Sequence, residues 1–214
     1  MISKILNILF PNKCIGCFTY NQSLLCDNCL KQIKIHNEFM PLNNNLNSIL
    51  CCMDYQNPIV KELIHKFKYQ KIISLKYIFE NILNQSLEKH KNTFNQDWIL
   101  IPVPLHTFKQ RMRGFNQSEI LSNLISKILN IKSYNNILIR FKNNSPQANQ
   151  DDIQKRKQNA KNIFKINENT KYLINNKNII LVDDVFTTGS TLNECATILK
   201  QNNANKIISI CLAR

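Results

Sequence analysis

Residues 180–191, ILVDDVFTTGST, join an apolar, β-branched run to two adjacent carboxylates and then to a loop of hydroxyl residues around one glycine. The run is too short for a helix and lacks polar alternation. It therefore reads as a strand over 179–182 buried on both faces, as strands of a parallel sheet are. Leu192, Ala196 and Leu199 recur at helical spacing over 192–200, with Ser190 or Thr191 placed to cap the amino terminus. The local order is strand, acidic pair, hydroxyl loop, helix.

Such a loop presents successive backbone N–H groups and the positive end of a helix dipole, which together attract a phosphate. Thr187, Thr188, Ser190 and Thr191 add hydroxyl donors, and Val185 leads into the turn. Gly189 is one of only three glycines in the chain, and it lets the backbone approach an anion closely. Asp183 and Asp184 do not favour phosphate but accept hydrogen bonds from sugar hydroxyls. A ligand with phosphate at one end and free hydroxyls at the other suits both halves. No lysine follows the glycine as in a Walker loop, and the three glycines of a dinucleotide fingerprint are missing.

Cys14, Cys17, Cys26 and Cys29 form two Cys-x2-Cys pairs with eight residues between them. Four thiolates at this spacing suit a tetrahedral structural Zn2+ with no position left for substrate, and Gly16 relieves the tight first turn. Two disulfides are the competing reading. The expectation of a cytoplasmic chain without a signal peptide favours zinc. His36 is either a spare ligand or a surface residue of the following linker. Cys51, Cys52, Cys195 and Cys211 read as ordinary strand or helix residues.

The 214 residues accommodate a zinc-binding module over 1–42, too small for a metal-free core, and an α/β domain over 43–214. Pro41 and a run of asparagines mark the break. Within 2–10, Ile2, Ile5, Leu6, Leu9 and Phe10 make an amphipathic stripe that either packs on the module or touches a membrane surface. No apolar run approaches the roughly 20 residues that span a bilayer.

The formal charge of +14 points to nucleic acid or phosphorylated ligands, although a chain so rich in Lys, Asn and Ile makes lysine a poor witness. Arginine says more, since it occurs only at positions 111, 113, 140, 156 and 214. Two of these follow a second buried strand, 98–101, which is broken by Pro102 and Pro104. Arg111, Arg113, Gly114, Asn116 and Gln117 then form a basic loop before a helix over 117–129. Arginine forks suit phosphate, and loops at the carboxyl ends of strands in open α/β sheets converge on one crevice. Further strands are expected at 49–54, 137–141 and 207–211, and a helix at 58–68 carries Lys61, His65 and Lys68, with Tyr69 just beyond, close to the pocket. Asp151 or Asp152 can cap a helix running to about Phe164. Arg156 and Asn159 on that helix share a face that either grips a phosphate or base edge or is merely a solvated basic surface.

Residues 180–191 resemble the 5-phosphoribosyl 1-pyrophosphate motif of type I phosphoribosyltransferases, with Ser190 where many members have glycine. The resemblance implies that Asp183 and Asp184 hold the ribose hydroxyls and that Val185 through Thr191 bind the 5-phosphate. The chain as a whole is similar to the ComF family, bacterial proteins associated with DNA uptake and competence. The shared features are the four cysteines, the turn Pro102–Val103–Pro104, the motif Arg113 to Gln117, the pair Pro146–Gln147, and Arg156 with Asn159. The family implies a parallel sheet of about five strands with helices on both faces, behind a small zinc-binding module.

Three functions follow as expectations. The first is an accessory protein of natural transformation that binds single-stranded DNA and a phosphoribosyl pyrophosphate-type ligand, alongside other competence proteins, in the cytoplasm or at the inner face of its membrane. The second is an active phosphoribosyltransferase, with Mg2+ on the pyrophosphate and Asp183 and Asp184 as its catalytic carboxylates. The third is a sensor that binds the ligand without turnover.

Overall fold

The computed structural model of the chain describes residues 12–21, 23–142 and 163–214. The five-stranded sheet at its centre is built from β3 (Met40–Pro41), β4 (Ser48–Met53), β5 (Trp98–Pro102), β8 (Asn178–Val185) and β9 (Ile207–Ala213), in the order β3-β4-β9-β8-β5. The last four are parallel, and β3 runs antiparallel at the edge. The sheet is thus mixed: the stretch from the asparagine-rich linker turns back on β4 instead of running free.

The inner strands are apolar on both faces, and each face has its own helices. Ile180 and Val182 of β8 and Ile208, Ile210 and Leu212 of β9 pack with α2 (Pro58–Tyr69), α3 (Lys76–Leu87) and α5 (Gln117–Leu129). Ile179 and Leu181, one residue out of phase, face the opposite layer of α6 (Ser190–Gln201) with β6 (Leu138–Arg140) and β7 (Phe164–Ile166). Burying Val60, Leu63, Ile64 and Phe67 along one face of α2 contributes roughly 1.5–3 kcal/mol per side chain, which holds the helix against the sheet. The helix starts where Pro58 supplies a preset φ and the Asn57 side chain accepts from the Ile59 and Val60 amides.

Residues 137–141 do not enter the central sheet. Leu138–Arg140 pairs antiparallel with Phe164–Ile166 as a separate ribbon, and Ile139 is exposed, so only one face of that strand carries a core. The helix expected to run to about Phe164 does not reach it, because Phe164 begins β7; the rest of that expectation falls on residues 143–162, outside the described residues. The basic stretch after β5 is itself a short helix, α4 (Thr107–Arg113), and not a loop. His106 caps it through its ring nitrogen, and Gly114 closes it at φ 82°.

A small module precedes the sheet, with a ribbon of β1 (Asn12–Lys13) and β2 (Tyr20–Asn21) and a one-turn helix, α1 (Asp27–Leu30). Its Cys14, Ile15, Leu25, Cys29 and Ile33 are buried in the same apolar cluster as Val60 and Leu63 of α2.

Candidate functional site

β8 runs three residues further than the apolar run that ends at Val182, so Asp183 and Asp184 lie inside the strand, with Asp183 beside Cys211 of β9 and Val185 beside Ala213. Alternation sends the two carboxylates to opposite sides of the sheet edge. The Asp183 Oδ1 accepts from the Asp184 amide at 2.9 Å and from the Ser118 hydroxyl, at the start of α5, at 3.1 Å. The Asp184 Oδ1 meets the Lys68 ammonium of α2 at 2.8 Å, with both side chains largely enclosed, at 13% and 18% exposure. Burial first, and the adjacent Asp184 charge second, push the Asp183 carboxyl up from the ordinary 3.8 to about 7. Both carboxylates are held in place by their partners, and Asp183 is poised to change charge near neutrality.

The chain then turns sharply. Gly189, not a hydroxyl side chain, is the N-cap of α6, at φ 72°, and a Cβ there would lie 2.7 Å from the Phe186 ring. Ser190 and Thr191 are the first helical residues and cap nothing. Ser190 instead shares a 3.0 Å hydroxyl contact with Thr188. The opening amides of α6 have no intrahelical partner, and that of Ser190 donates to the Thr188 hydroxyl of the preceding loop at 3.4 Å.

The arginines after β5 divide. Arg113 lies over the Tyr69 ring at 5.1 Å and donates to Gln117 Oε1 at 3.0 Å, which ties α4 to the ends of α2 and α5. Arg111 is exposed beside Gly114. Asn116 is 2% exposed and works as the cap of α5, accepting from the Ser118 amide and donating to the Val103 carbonyl. Gln117 is buried too, and its Nε2 has no partner among the described residues.

Sequence reasoning missed Ser118, Lys109 and Arg140. Burial, and then Arg140, Arg113 and Lys68, hold the Lys109 ammonium below the ordinary lysine range. Burial likewise lowers Arg140, whose field reaches Asp183 and Glu194 and whose guanidinium sits over Phe164 at 5.4 Å. Its Nε is buried without a partner among the described residues. Glu194 of α6 anchors this ribbon by accepting from the Ile163 and Phe164 amides. Lys68 of α2, Lys109 and Arg113 of α4 and Arg140 of β6, four cations from three elements, thus gather near the two carboxylates. Of the four, Lys68 and Arg113 were expected from the sequence, and Lys109 and Arg140 were not.

The sulfurs of Cys14, Cys17, Cys26 and Cys29 all lie within 4.8 Å of one another. The Cys14–Cys26 and Cys17–Cys26 separations are 3.6 and 3.7 Å. Those values match the edge of a tetrahedron with metal–sulfur bonds of about 2.3 Å, roughly 3.8 Å. A Cβ on Gly16 would meet Cys29 Sγ at 2.7 Å, so glycine is required where the first turn passes the cluster. Burial would raise the Cys14 thiol, but the amides of Cys17, Cys26 and Gly16 outweigh it and bring it to about 6. The donor set fits a structural zinc ion. His36 is not part of it: its Nε2 lies 3.0 Å from Asp54 Oδ1. The stripe within 2–10, the pair Pro146–Gln147, and Arg156 with Asn159 lie outside the described residues. Among the described residues no helix is long and apolar enough to cross a membrane.

A family model described as the phosphoribosyl transferase domain matches residues 118–214, from the start of α5 through β9. Competence protein F of Haemophilus influenzae is 33% identical over 191 residues, covering 88% of this chain and 78% of that protein. The DNA utilization protein YhgH of Escherichia coli O6:H1 is 29% identical over 163 residues, covering 75% of this chain and 69% of that one. Among solved structures, adenine phosphoribosyltransferase of Leishmania tarentolae aligns over 81% of this chain and 79% of that one, at 12% identity and a TM-score of 0.42. The four-cysteine cluster, the acidic pair at the end of β8 and the extent of the first match together place this chain in the ComF family of competence proteins, with a type I phosphoribosyltransferase-like α/β fold behind a cysteine-rich module.

Proposed function

We propose that the crevice at the carboxyl ends of β5 and β8 binds a phosphoribosyl pyrophosphate-type ligand, and that the protein serves DNA uptake by binding single-stranded DNA. The observation that carries the ligand reading is the joining of Asp183 and Asp184, each fixed by its own partner, to a loop whose glycine opens α6. The carboxylates accept from the ribose 2- and 3-hydroxyls. The amides and hydroxyls of Thr187 to Thr191 receive the 5-phosphate, and Lys109, Arg113 and Arg140 offer charge to a pyrophosphate beyond the ribose. Mg2+ bound with such a ligand would neutralise part of its charge.

The DNA reading rests on the basic charge of the chain, on the exposed Arg111 beside the Tyr69-stacked Arg113, and on relatives named for competence and DNA utilization. Such a role suits a place in the cytoplasm or at the inner face of its membrane, alongside other competence proteins. Calorimetry with phosphoribosyl pyrophosphate and Mg2+ tests the pocket. The double variant Asp183→Asn, Asp184→Asn should bind at least tenfold more weakly, and unchanged affinity overturns the assignment.

A second reading, an active transferase, is favoured by the cations gathered where a leaving pyrophosphate would carry its charge. Pyrophosphate release measured against a panel of bases decides between transfer and binding alone.

A further inference from the structure

At the end of the sheet away from the acidic pair lies a cavity of about 730 Å3, walled by Trp98 at the start of β5, Lys132 and Tyr134 after α5, and Tyr172 and Lys177 before β8. The volume lies in the range of about 300–1,000 Å3 typical of ligand sites. Its chemistry is unlike that of the crevice. Three aromatic rings and two lysines line it, and no carboxylate does. Tyr172 holds 71% of its surface in water, where an aromatic ring serves no core. Trp98 is half-buried, its ring meeting the Phe94 ring edge-on at 5.1 Å. Lys177 pairs with Asp97 at 3.4 Å, whereas Lys132 is exposed with no ion pair among the described residues.

We infer that this cavity is a second contact for single-stranded DNA, in which an unpaired base stacks among Tyr134, Tyr172 and Trp98 while Lys132 meets the adjoining phosphate. The inference rests on the DNA reading above and extends it to a named surface. Aromatic faces interleaved with lysines are what a sequence-tolerant single-strand site requires, since every base has a π-face and every nucleotide a charge. Position supports the assignment as well. The length of β8, roughly 20 Å at about 3.3 Å per residue, separates the cavity from Asp183 and Asp184. A polyanion seated here escapes the repulsion that two carboxylates would impose in the crevice. Duplex DNA, with its bases stacked and paired, cannot use such a cavity.

Trp98 is the only tryptophan in the chain, so its emission reports occupancy directly. A fluorescein-labelled oligothymidylate is titrated into the full-length protein, with anisotropy following total binding and Trp98 emission following the cavity. Saturating oligonucleotide should quench Trp98, and a duplex of equal length should not. Tyr172→Ala should weaken binding by roughly tenfold, and Lys132→Ala should lower the salt slope by about 0.7. Because Tyr172 is exposed, its replacement keeps the fold, which a melting curve verifies. The variant Arg111→Ala, Arg113→Ala should still show the quench at saturation. Binding by anisotropy with Trp98 emission unchanged and Tyr172→Ala unaffected overturns the cavity assignment alone. No binding by the unaltered protein overturns this inference and the DNA reading together.

Discussion

Replacing Asp183 by Asn separates what this carboxylate does for the fold from what it does for the ligand. Asparagine keeps an oxygen for the Ser118 hydroxyl and the Asp184 amide, so the local hydrogen bonds survive. What changes is charge. The carboxylate is enclosed although the residue as a whole keeps some surface, and its pKa is about 7 in the fold against 3.8 ordinarily. A carboxyl raised on folding contributes stability that is complete below about 4 and is lost as pH rises through about 7, because the native state then has to carry the buried charge. About three pH units at about 1.4 kcal/mol each set a ceiling of about 4 kcal/mol, reached above pH 8. Screening by solvent at the open side brings the working expectation to roughly half of that. Asp183→Asn should therefore unfold at higher urea than the unaltered protein at pH 8, with the gap narrowing towards pH 5. Ligand affinity should move the other way. The variant binds phosphoribosyl pyrophosphate poorly at every pH, while the unaltered protein gains affinity as pH rises through about 7 and Asp183 ionises. A stability gap that is independent of pH, or that widens on acidification, refutes the reasoning.

Lys68→Met leaves Asp184 enclosed without its counter-charge and should cost about 2–3 kcal/mol at pH 8, somewhat below the usual penalty for a fully buried pair; it should also move the Asp183 titration to higher pH, read by NMR of the carboxyl carbon. Gly189→Ala forces a Cβ against Phe186 at a backbone angle that side chains rarely adopt, so a loss of about 1–3 kcal/mol in urea is expected, with loss of phosphate binding beyond what unfolding explains. Arg111→Ala with Arg113→Ala should lower the salt slope of single-stranded DNA binding by about 1.4, and an unaltered slope removes α4 from the DNA path. Metal analysis should find one zinc per chain, and chelation should lower the melting temperature of the whole fold because Ile15, Leu25 and Ile33 share the core of α2; a metal-free chain that melts unchanged overturns the cysteine assignment.

The parts that were legible in the sequence are those whose signal is local. The apolar runs of β4, β5, β8 and β9, the amphipathic stripes of α2, α5 and α6, and the Cys-x2-Cys spacing depend only on neighbours in the chain. The β3 edge and the β6–β7 ribbon depend on distant partners. Ile137 to Ile139 is as apolar as a core strand, but Leu138 to Arg140 pairs with Phe164 to Ile166, across the segment 143–162, and not with the central sheet. The basic stretch read as a loop because Thr107 to Arg113 buries nothing, and a helix without a core face leaves no apolar period. The cap of α6 was misplaced for a different reason: Ser190 and Thr191 are good caps, but the glycine before them already supplies the reversal. Arg140 was hidden because its role comes from its approach to Asp183, and Lys109 because its role comes from its neighbours Arg140, Arg113 and Lys68, which no linear spacing encodes.

The place of β9 bears on how the chain is made. It lies between β4 and β8, and it is the only strand that bonds to both. Until Ile207 to Ala213 leaves the ribosome, β4 with its edge strand and β8 with β5 are two half-sheets with unpaired backbone facing each other. At about 5–20 residues per second, the roughly 150 residues that separate β4 from β9 leave the β4 edge exposed for about 8–30 seconds, and the roughly 20 that separate β8 from β9 leave the β8 edge exposed for about 1–4 seconds. The acidic pair is affected as well, since Asp183 finds its neighbour Cys211 only when β9 inserts. Ligand competence is thus a late event in the life of each molecule, and a transcript broken anywhere upstream of β9 yields a product with sticky edges and no pocket.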